Sequence, residues 1–366
     1  MISPRSEGDL CEAVASATAP LLPKGGGTRM IGNAQGDVLD ISGLSGVTLY
    51  EPAALTLVVQ AGTPVSMISA LLAGERQRLG FEPPDLRGLL GRDGVSTIGG
   101  VAAFNACGPR RVQGGAARDA MLGVRFVDGH GVAISSGGRV MKNVTGYDLV
   151  KLMAGSFGSL GVLTEVSLKV QSIPEAEVTL VLDTLDDAAG LAALRAALGS
   201  PYDISGAARA CGRSYIRLEG MAGSVVYRAG KLRAGLDCTV VEGGASAAIW
   251  AAIRDVAALH GRAGDIWRLS ALPTDAAGIV AAILTSVGGD GLRDAVYDWG
   301  GGLVWLALPA GADDAVRVAV HGRGAAIKLR GIGAAPFAPQ SDQVSALSAA
   351  LKAQFDPHGR FARGII

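Results

Sequence analysis

Gly94-Val95-Ser96-Thr97-Ile98-Gly99-Gly100 runs directly into Val101-Ala102-Ala103-Phe104-Asn105-Ala106-Cys107-Gly108-Pro109-Arg110-Arg111. Gly99 and Gly100 precede small residues, which suits a helical turn whose first N–H groups point at a phosphate. Asn105 can hydrogen-bond a ring or ribose edge, and Arg110 and Arg111 can balance diphosphate charge. Taken alone, the stretch reads equally well as a surface turn with a solvated basic pair.

Two more glycine loops flank it. Pro23-Lys24-Gly25-Gly26-Gly27-Thr28 leaves successive backbone amides unobstructed, so they can form an anion-binding concavity to which Thr28 adds a hydroxyl. Downstream, Gly138 to Asp148 contains Lys142-Asn143, and Gly155-Ser-Phe-Gly158-Ser-Leu-Gly161-Val162 spaces its glycines three apart before a strand. Ala154–Gly158 has the letters of a nucleophile elbow but leads into a strand, the wrong context. Neither G-x-G-x-x-G nor G-x-x-x-x-G-K-[ST] occurs, which excludes a Rossmann site and a P-loop. A cofactor held by three separated glycine loops calls for another fold.

Composition narrows the classes further. Hydrophobic residues make up 49% and charged residues 18% of 366, a globular profile, and 54 glycines point to many tight turns. Lys+Arg and Asp+Glu both number 33, so nothing advertises nucleic acid as a partner. The four cysteines, Cys11, Cys107, Cys211 and Cys238, form no C-x-x-C pair, and the four histidines do not cluster, so no metal site is expected. Reduced thiols and an N-terminus without an apolar signal region point to the cytoplasm. The uncharged run Leu55–Gly74 is broken by Gln60, Gly62, Thr63, Pro64 and Ser66. It reads as strand, turn and helix, with Thr63 capping and Met67, Ile68, Leu71 and Leu72 at helical spacing.

Elsewhere Val38–Ile41 reads as a strand. Gly123–Asp128 and Val132–Ser135 form a hairpin, and 162–170 alternates as a half-exposed strand. Pro174 with Glu175 and Glu177 marks a boundary. Beyond it, helices are expected at 186–198, 224–236, 246–259, 275–286 and 341–355. Strands are expected at 214–219, 239–242, 265–270, 292–299 and 303–308, an α+β pattern.

Read in order, G-G-G-T, A-G-T-P, T-I-G-G with N-A-C-G-P-R-R, K-N-x-x-G-Y-D and G-S-x-G-x-L-G-V-L-T-E resemble the PCMH-type FAD-binding domain of the vanillyl-alcohol oxidase superfamily. Met141–Leu149, Cys107–Arg111, Ile216–Gly220, Trp267–Ser270 and Asp298–Gly301 are similar to the FAD-binding subunits of bacterial glycolate oxidases. Phe355-Asp356-Pro357-His358-Gly359 resembles the closing motif of FAD-linked oxidases, although Phe361-Ala362-Arg363-Gly364 departs from its usual N-P-G-R. The resemblance implies an FAD domain of two α/β subdomains at 1–174. An α+β cap domain would follow at 175–366, with an antiparallel sheet, a C-terminal helix and a last segment returning to the FAD domain. It also implies FAD held by Gly25, Gly26, Gly27, Thr28, Thr97, Ile98, Gly99, Gly100, Asn105, Gly108, Arg111, Lys142, Asn143, Gly158, Gly161 and Val162. Thr28 stands where covalent members carry histidine, which implies non-covalent FAD.

A 2-hydroxy acid oxidase needs a cation for the carboxylate and a base for the hydroxyl. Arg268, beside Trp267, is the candidate cation, with an ion pair to Glu219 or Asp298 as its structural alternative; Arg217 is weaker, and no base can be named. The resemblance therefore implies one flavin subunit of a multi-subunit glycolate (2-hydroxy acid) oxidase. A catalytic flavoprotein subunit and an iron–sulfur subunit would be its partners, and any attachment to the inner membrane would run through them. A self-sufficient FAD oxidoreductase and a structural subunit with non-cycling FAD are the alternatives.

Overall fold

Ser6 starts the first helix, Glu7–Ser16, with a reciprocal cap. Its hydroxyl accepts the Asp9 amide at 3.1 Å, and the Asp9 carboxylate accepts the Ser6 amide at 3.0 Å. Leu10 and Val14 of this helix bury against Leu21 and Leu39 of the parallel pair β1 (Leu21–Lys24) and β2 (Asp37–Asp40). The computed structural model describes the chain apart from residues 33, 140–145, 184–185, 289–294, 332, 334 and 363–366.

Next come β3 (Val47–Glu51), β4 (Thr56–Gln60), the short β5 (Gln77–Arg78), β6 (Met121–Val127), β7 (Ala133–Gly137), β8 (Val162–Lys169) and the short β9 (Gln171–Ser172). β5 pairs with β9, and the other five form an antiparallel sheet in the order β3-β4-β8-β6-β7. The expected hairpin is β6–β7. The strand read as half-exposed, β8, is instead central: Thr164 and Ser167 are buried. Glu7, from the first helix, covers this face by accepting from Thr164 at 2.7 Å while pairing with Arg125 of β6 at 2.6 Å.

The helix expected after Pro64 forms at Val65–Gly74, but Thr63 does not cap it. Its hydroxyl accepts the Gly46 amide at 2.9 Å and donates to the Gly46 carbonyl at 3.1 Å, which ties a loop to β4's end. Met67 is 48% exposed, so the buried stripe is Ile68 and Leu72.

The second half builds one eight-stranded antiparallel sheet. Its strands are β10 (Ala176–Asp183), β11 (Ile204–Ala210), β12 (Arg213–Gly220), β13 (Thr239–Glu242), β14 (Asp265–Ala271), β15 (Ala295–Asp298), β16 (Leu303–Leu308) and β17 (Gly324–Arg330). The order is β13-β10-β12-β11-β15-β16-β14-β17. β10 and β11 escape the sequence pattern, since β11 (Ile-Ser-Gly-Ala-Ala-Arg-Ala) is poor in strand formers and holds its place by burial. The helix expected to reach Leu259 ends at Arg254, because Val256 turns left-handed at φ 57° before a short 3-10 turn.

Helices Asp187–Leu198, Ala222–Arg233, Ala276–Val287 and Asp313–Val320 cover one face of this sheet, packing Leu191, Leu194 and Ile279 around Trp267 and Leu306. The other face presents Ile266, Val296, Trp305 and Leu329 to Ile31, Leu86, Leu89 and Leu90 of the N-terminal half. This second apolar layer joins the halves, and the site lies along it. A final helix, Asp342–Phe355, precedes a return to β1. The Leu21 amide donates to Arg360 O at 2.6 Å, the Ala362 amide donates to Leu21 O at 2.8 Å, and Phe361 is wholly buried.

Candidate functional site

The loop that follows β1 is pinned open by its own glycines. A Cβ on Gly26 would stand 1.6 Å from Val95 O, and one on Gly25 would stand 2.3 Å from Thr97 Oγ1. Gly27 is left-handed at φ 71°. The amides of Gly25, Gly26, Gly27 and Thr28 donate to no acceptor among the described residues. Unspent amides on a rigid loop are the donors an oxyanion requires.

Arg29, which follows immediately, was not singled out in the sequence. It is 8% exposed, and its Nη1 donates to Thr28 Oγ1 at 3.2 Å and to Ser96 Oγ at 2.5 Å, while Nη2 donates to Pro84 O. All these acceptors are neutral, and its buried Nε has no partner. Burial lowers the guanidinium to about 10, opposed by the more distant Asp85 and Asp255, and leaves it protonated at neutral pH. A cation at the foot of a glycine loop is a sequence signal that could have been read.

Gly94–Gly100 forms the opposite wall but not in the expected way. Thr97 caps the helix Ile98–Ala103, its hydroxyl accepting the Gly100 amide at 3.4 Å. The Ile98 amide donates to Thr63 O at 3.0 Å, and the Gly99 amide to Ala61 O at 2.7 Å. The first amides of this turn are therefore committed within the protein and do not point at a phosphate. Gly99 is glycine because its Cβ would strike Ala61, at 2.7 Å. Ile98 is packed into the core of the five-stranded sheet.

The third wall is Phe157–Leu163. Phe157 and Gly158 are both left-handed, at φ 54° and 78°, and turn the backbone toward Pro23. Gly161 packs flush on Phe126 and Val127 O, at 2.8 and 2.9 Å to a notional Cβ. Phe104, Phe157 and Phe337 form an edge-to-face series, with centroids 5.3 and 5.5 Å apart, along this wall toward the second sheet. The three walls line a narrow cleft that opens to solvent, with about 100 Å³ of space inside it. Gly25, Gly26, Gly27, Thr28, Thr97, Gly99, Gly100, Gly158, Gly161 and Val162 line it.

Asn105, Gly108 and Arg111 stand beyond its edge. The Asn105 side-chain carbonyl accepts the Arg118 amide at 3.0 Å, and Gly108 O accepts Trp299 Nε1 at 3.1 Å. Lys142 and Asn143 lie outside the described residues.

Arg110 is not near the cleft. Its Nε and Nη2 donate to the two oxygens of Glu219 at 2.9 Å each, and its amide donates to Glu82 Oε2 at 2.7 Å. Arg217 forms a second two-pronged pair with Glu82, at 2.9 Å for both bonds, and stacks on Trp250. Arg78 completes the network at 2.6 Å from Glu219. Burial alone would raise the Glu219 carboxyl, yet Arg110, Arg217 and Arg78 hold it well below the usual carboxylate range. Glu219 is thus taken, Asp298 accepts the Trp299 amide at 2.8 Å, and among the described residues neither forms an ion pair with Arg268.

Flavin adenine dinucleotide needs a cradle for its diphosphate, a compensating cation and an apolar wall beside its ring. The free amides of 25–28, the orphaned Nε of Arg29 and the Phe104–Phe157 pair fit those demands.

Comparison with known proteins agrees. A family model described as an FAD binding domain matches residues 1–137. The chain is 35% identical to glycolate oxidase subunit GlcE of Escherichia coli (strain K12), over 90% of its own length and 87% of that protein's. It is 32% identical to glycolate oxidase subunit GlcD of Bacillus subtilis (strain 168), over 50% of this chain and 38% of that one. In fold it is similar to alkyldihydroxyacetonephosphate synthase, with a TM-score of 0.70 and 15% identity over 98% of this chain and 76% of that chain. The α+β PCMH-type fold thus stands on sequence and structure together, and FAD as cofactor on the family model and the relatives. The chain belongs to the family of glycolate oxidase subunit GlcE, FAD-dependent oxidoreductases acting on CH–OH groups.

Proposed function

We propose that this chain is the FAD-binding subunit of a multi-subunit glycolate (2-hydroxy acid) oxidase, and that electrons leave it toward an iron–sulfur partner. The observation that carries the reading is the glycine-walled cleft with its buried Arg29, which forms no ion pair among the described residues, in a chain so similar to GlcE along its length.

The division of labour within the chain follows. Residues 1–174 form the FAD-binding domain and 175–366 the cap, closed by the segment that returns to β1. Gly25–Thr28 hold the diphosphate by their amides, with Arg29 as counter-charge. Thr97, Gly99, Gly100, Gly158, Gly161 and Val162 shape the cleft, and Ile98, Asn105, Gly108 and Arg111 support its far wall from behind. Lys142 and Asn143 belong to the same motif set. The cofactor is held without a covalent bond, because Thr28 offers no nucleophile comparable to histidine.

Bound FAD supplies a two-electron acceptor. Conversion of glycolate to glyoxylate removes the C2 hydrogen with its electron pair and the hydroxyl proton. The four separated cysteines offer no cluster ligands here, so one-electron carriage falls to a partner. Among the described residues no helix is long and apolar enough to cross a membrane, and any attachment there runs through the partner subunits.

Reconstitution tests this. Glycolate-dependent reduction of an artificial acceptor should be lost when this chain is left out of the complex and return when it is added with FAD. Full activity without it would contradict the reading.

A further inference from the structure

Arg111 and Arg268 arrive from opposite halves of the molecule at one indole. The Arg111 guanidinium lies 4.8 Å from the Trp299 ring centre and that of Arg268 lies 5.8 Å away; Arg268 is also 5.9 Å from Trp305. The single hydrogen bond of the Arg111 side chain is to the Cys107 thiol, at 3.3 Å, and Arg268 has no hydrogen bond or ion pair among the described residues. Elsewhere in this seam guanidiniums are matched with carboxylates, as with Arg110 and Arg217.

Among the described residues, the acidic groups of this seam form no ion pair with Arg111 or Arg268. Glu82 and Glu219 are engaged by Arg217, Arg110 and Arg78. Burial pushes the Asp298 carboxyl up to about 8, so it is largely protonated at neutral pH. Burial also pushes the Cys107 thiol up, although Arg111 and Arg268 pull it down. Among the described residues, two cations therefore share a half-buried, aromatic-floored place with no carboxylate paired to either; burial lowers the Arg268 guanidinium, Cys107 opposes this and Arg111 adds to it. Such an arrangement is costly unless an external anion completes it.

We infer that Arg111 and Arg268, over Trp299, form a subsite for the carboxylate of a small organic acid. A planar carboxylate matches the guanidinium fork, and the indoles of Trp299 and Trp305 limit what can be attached to it. Phe104, which lines the cofactor cleft, and Trp299 both pack against the apolar layer that contains Trp305. The assignment rests on the proposed function in taking that acid to be the 2-hydroxy acid. The binding event itself can be read without turnover.

Calorimetric titration of the purified full chain with glycolate and, separately, with its unreactive relative oxalate tests the assignment. Both should bind, and Arg268→Gln should weaken binding about tenfold or more while bound flavin is retained, with Arg111→Gln weakening the acids' binding to a similar degree. Arg268→Lys, which keeps the charge but loses the fork, should lose less. Unchanged oxalate affinity in both Gln variants would overturn the subsite, as would no binding to the wild type. Preference for inorganic phosphate over both acids would overturn the carboxylate assignment. Loss of flavin from the wild-type chain would instead strike the proposed function, so the two failures are separable.

Discussion

Arg110 and Glu219, one from the loop after the cleft and the other from β12 of the large sheet, meet in a two-pronged ion pair with both N–O distances at 2.9 Å. The pair is nearly closed to solvent, with side chains 4% and 3% exposed. It sets the second sheet against the loop that carries Cys107–Arg111, and so fixes how Trp299 reaches Gly108 O.

Glu219→Gln should therefore weaken the seam. The substitution leaves Arg110, Arg78 and Arg217 short of a counter-charge in a buried place, a loss of roughly 3–5 kcal/mol. Urea denaturation followed by circular dichroism should show the midpoint fall accordingly. The sign in pH is also fixed: with its folded pKa below its unfolded one, Glu219 contributes stability that is present above about 4.5 and lost as pH falls.

Asp298 behaves in the opposite sense. Its folded pKa is raised from 3.8 to about 8 by burial, with Glu82 adding to the effect. The folded chain thus holds a proton there that the unfolded chain has lost, so stability declines as pH rises through that interval. Asp298→Asn should remove this decline. Melting temperatures of the two proteins measured from pH 5 upward should diverge in the variant's favour, and parallel curves would be the contrary result.

Arg29→Gln should give a crossed pattern. In the presence of FAD the variant should bind the cofactor about tenfold or more weakly, because a charge-assisted contact is lost. Without FAD it should be no less stable than the wild type, since an uncompensated buried charge has been removed. Flavin titration and thermal melts with and without added FAD read the two halves of this prediction.

Gly26→Ala should abolish FAD retention while leaving the second sheet intact. The new methyl would stand 1.6 Å from Val95 O, a backbone atom, so the loop itself must move. The purified variant should be colourless with a near-normal far-ultraviolet spectrum.

Much of the cleft was legible because its glycines are dictated by local geometry. Gly27 and Gly158 need left-handed backbone, and Gly25, Gly26 and Gly99 leave room for a neighbour. What the sequence hid was long-range pairing. Arg110, beside the loop, reads as a phosphate ligand until Glu219, 109 residues away, is seen to claim it. The amides of Ile98 and Gly99 read as free until Thr63 and Ala61 are found to accept them. β11 was hidden for another reason: its alanines and glycine carry almost no strand preference, and only burial between β12 and β15 makes it one. The motif resemblance stops at Thr28 and does not reach Arg29.

The most direct test of the central claim is the visible absorbance spectrum of the purified full-length chain. The protein should be yellow and release its flavin as FAD on acid precipitation, or be colourless and turn yellow on taking up added FAD. A chain that is colourless and binds no added FAD would contradict the claim.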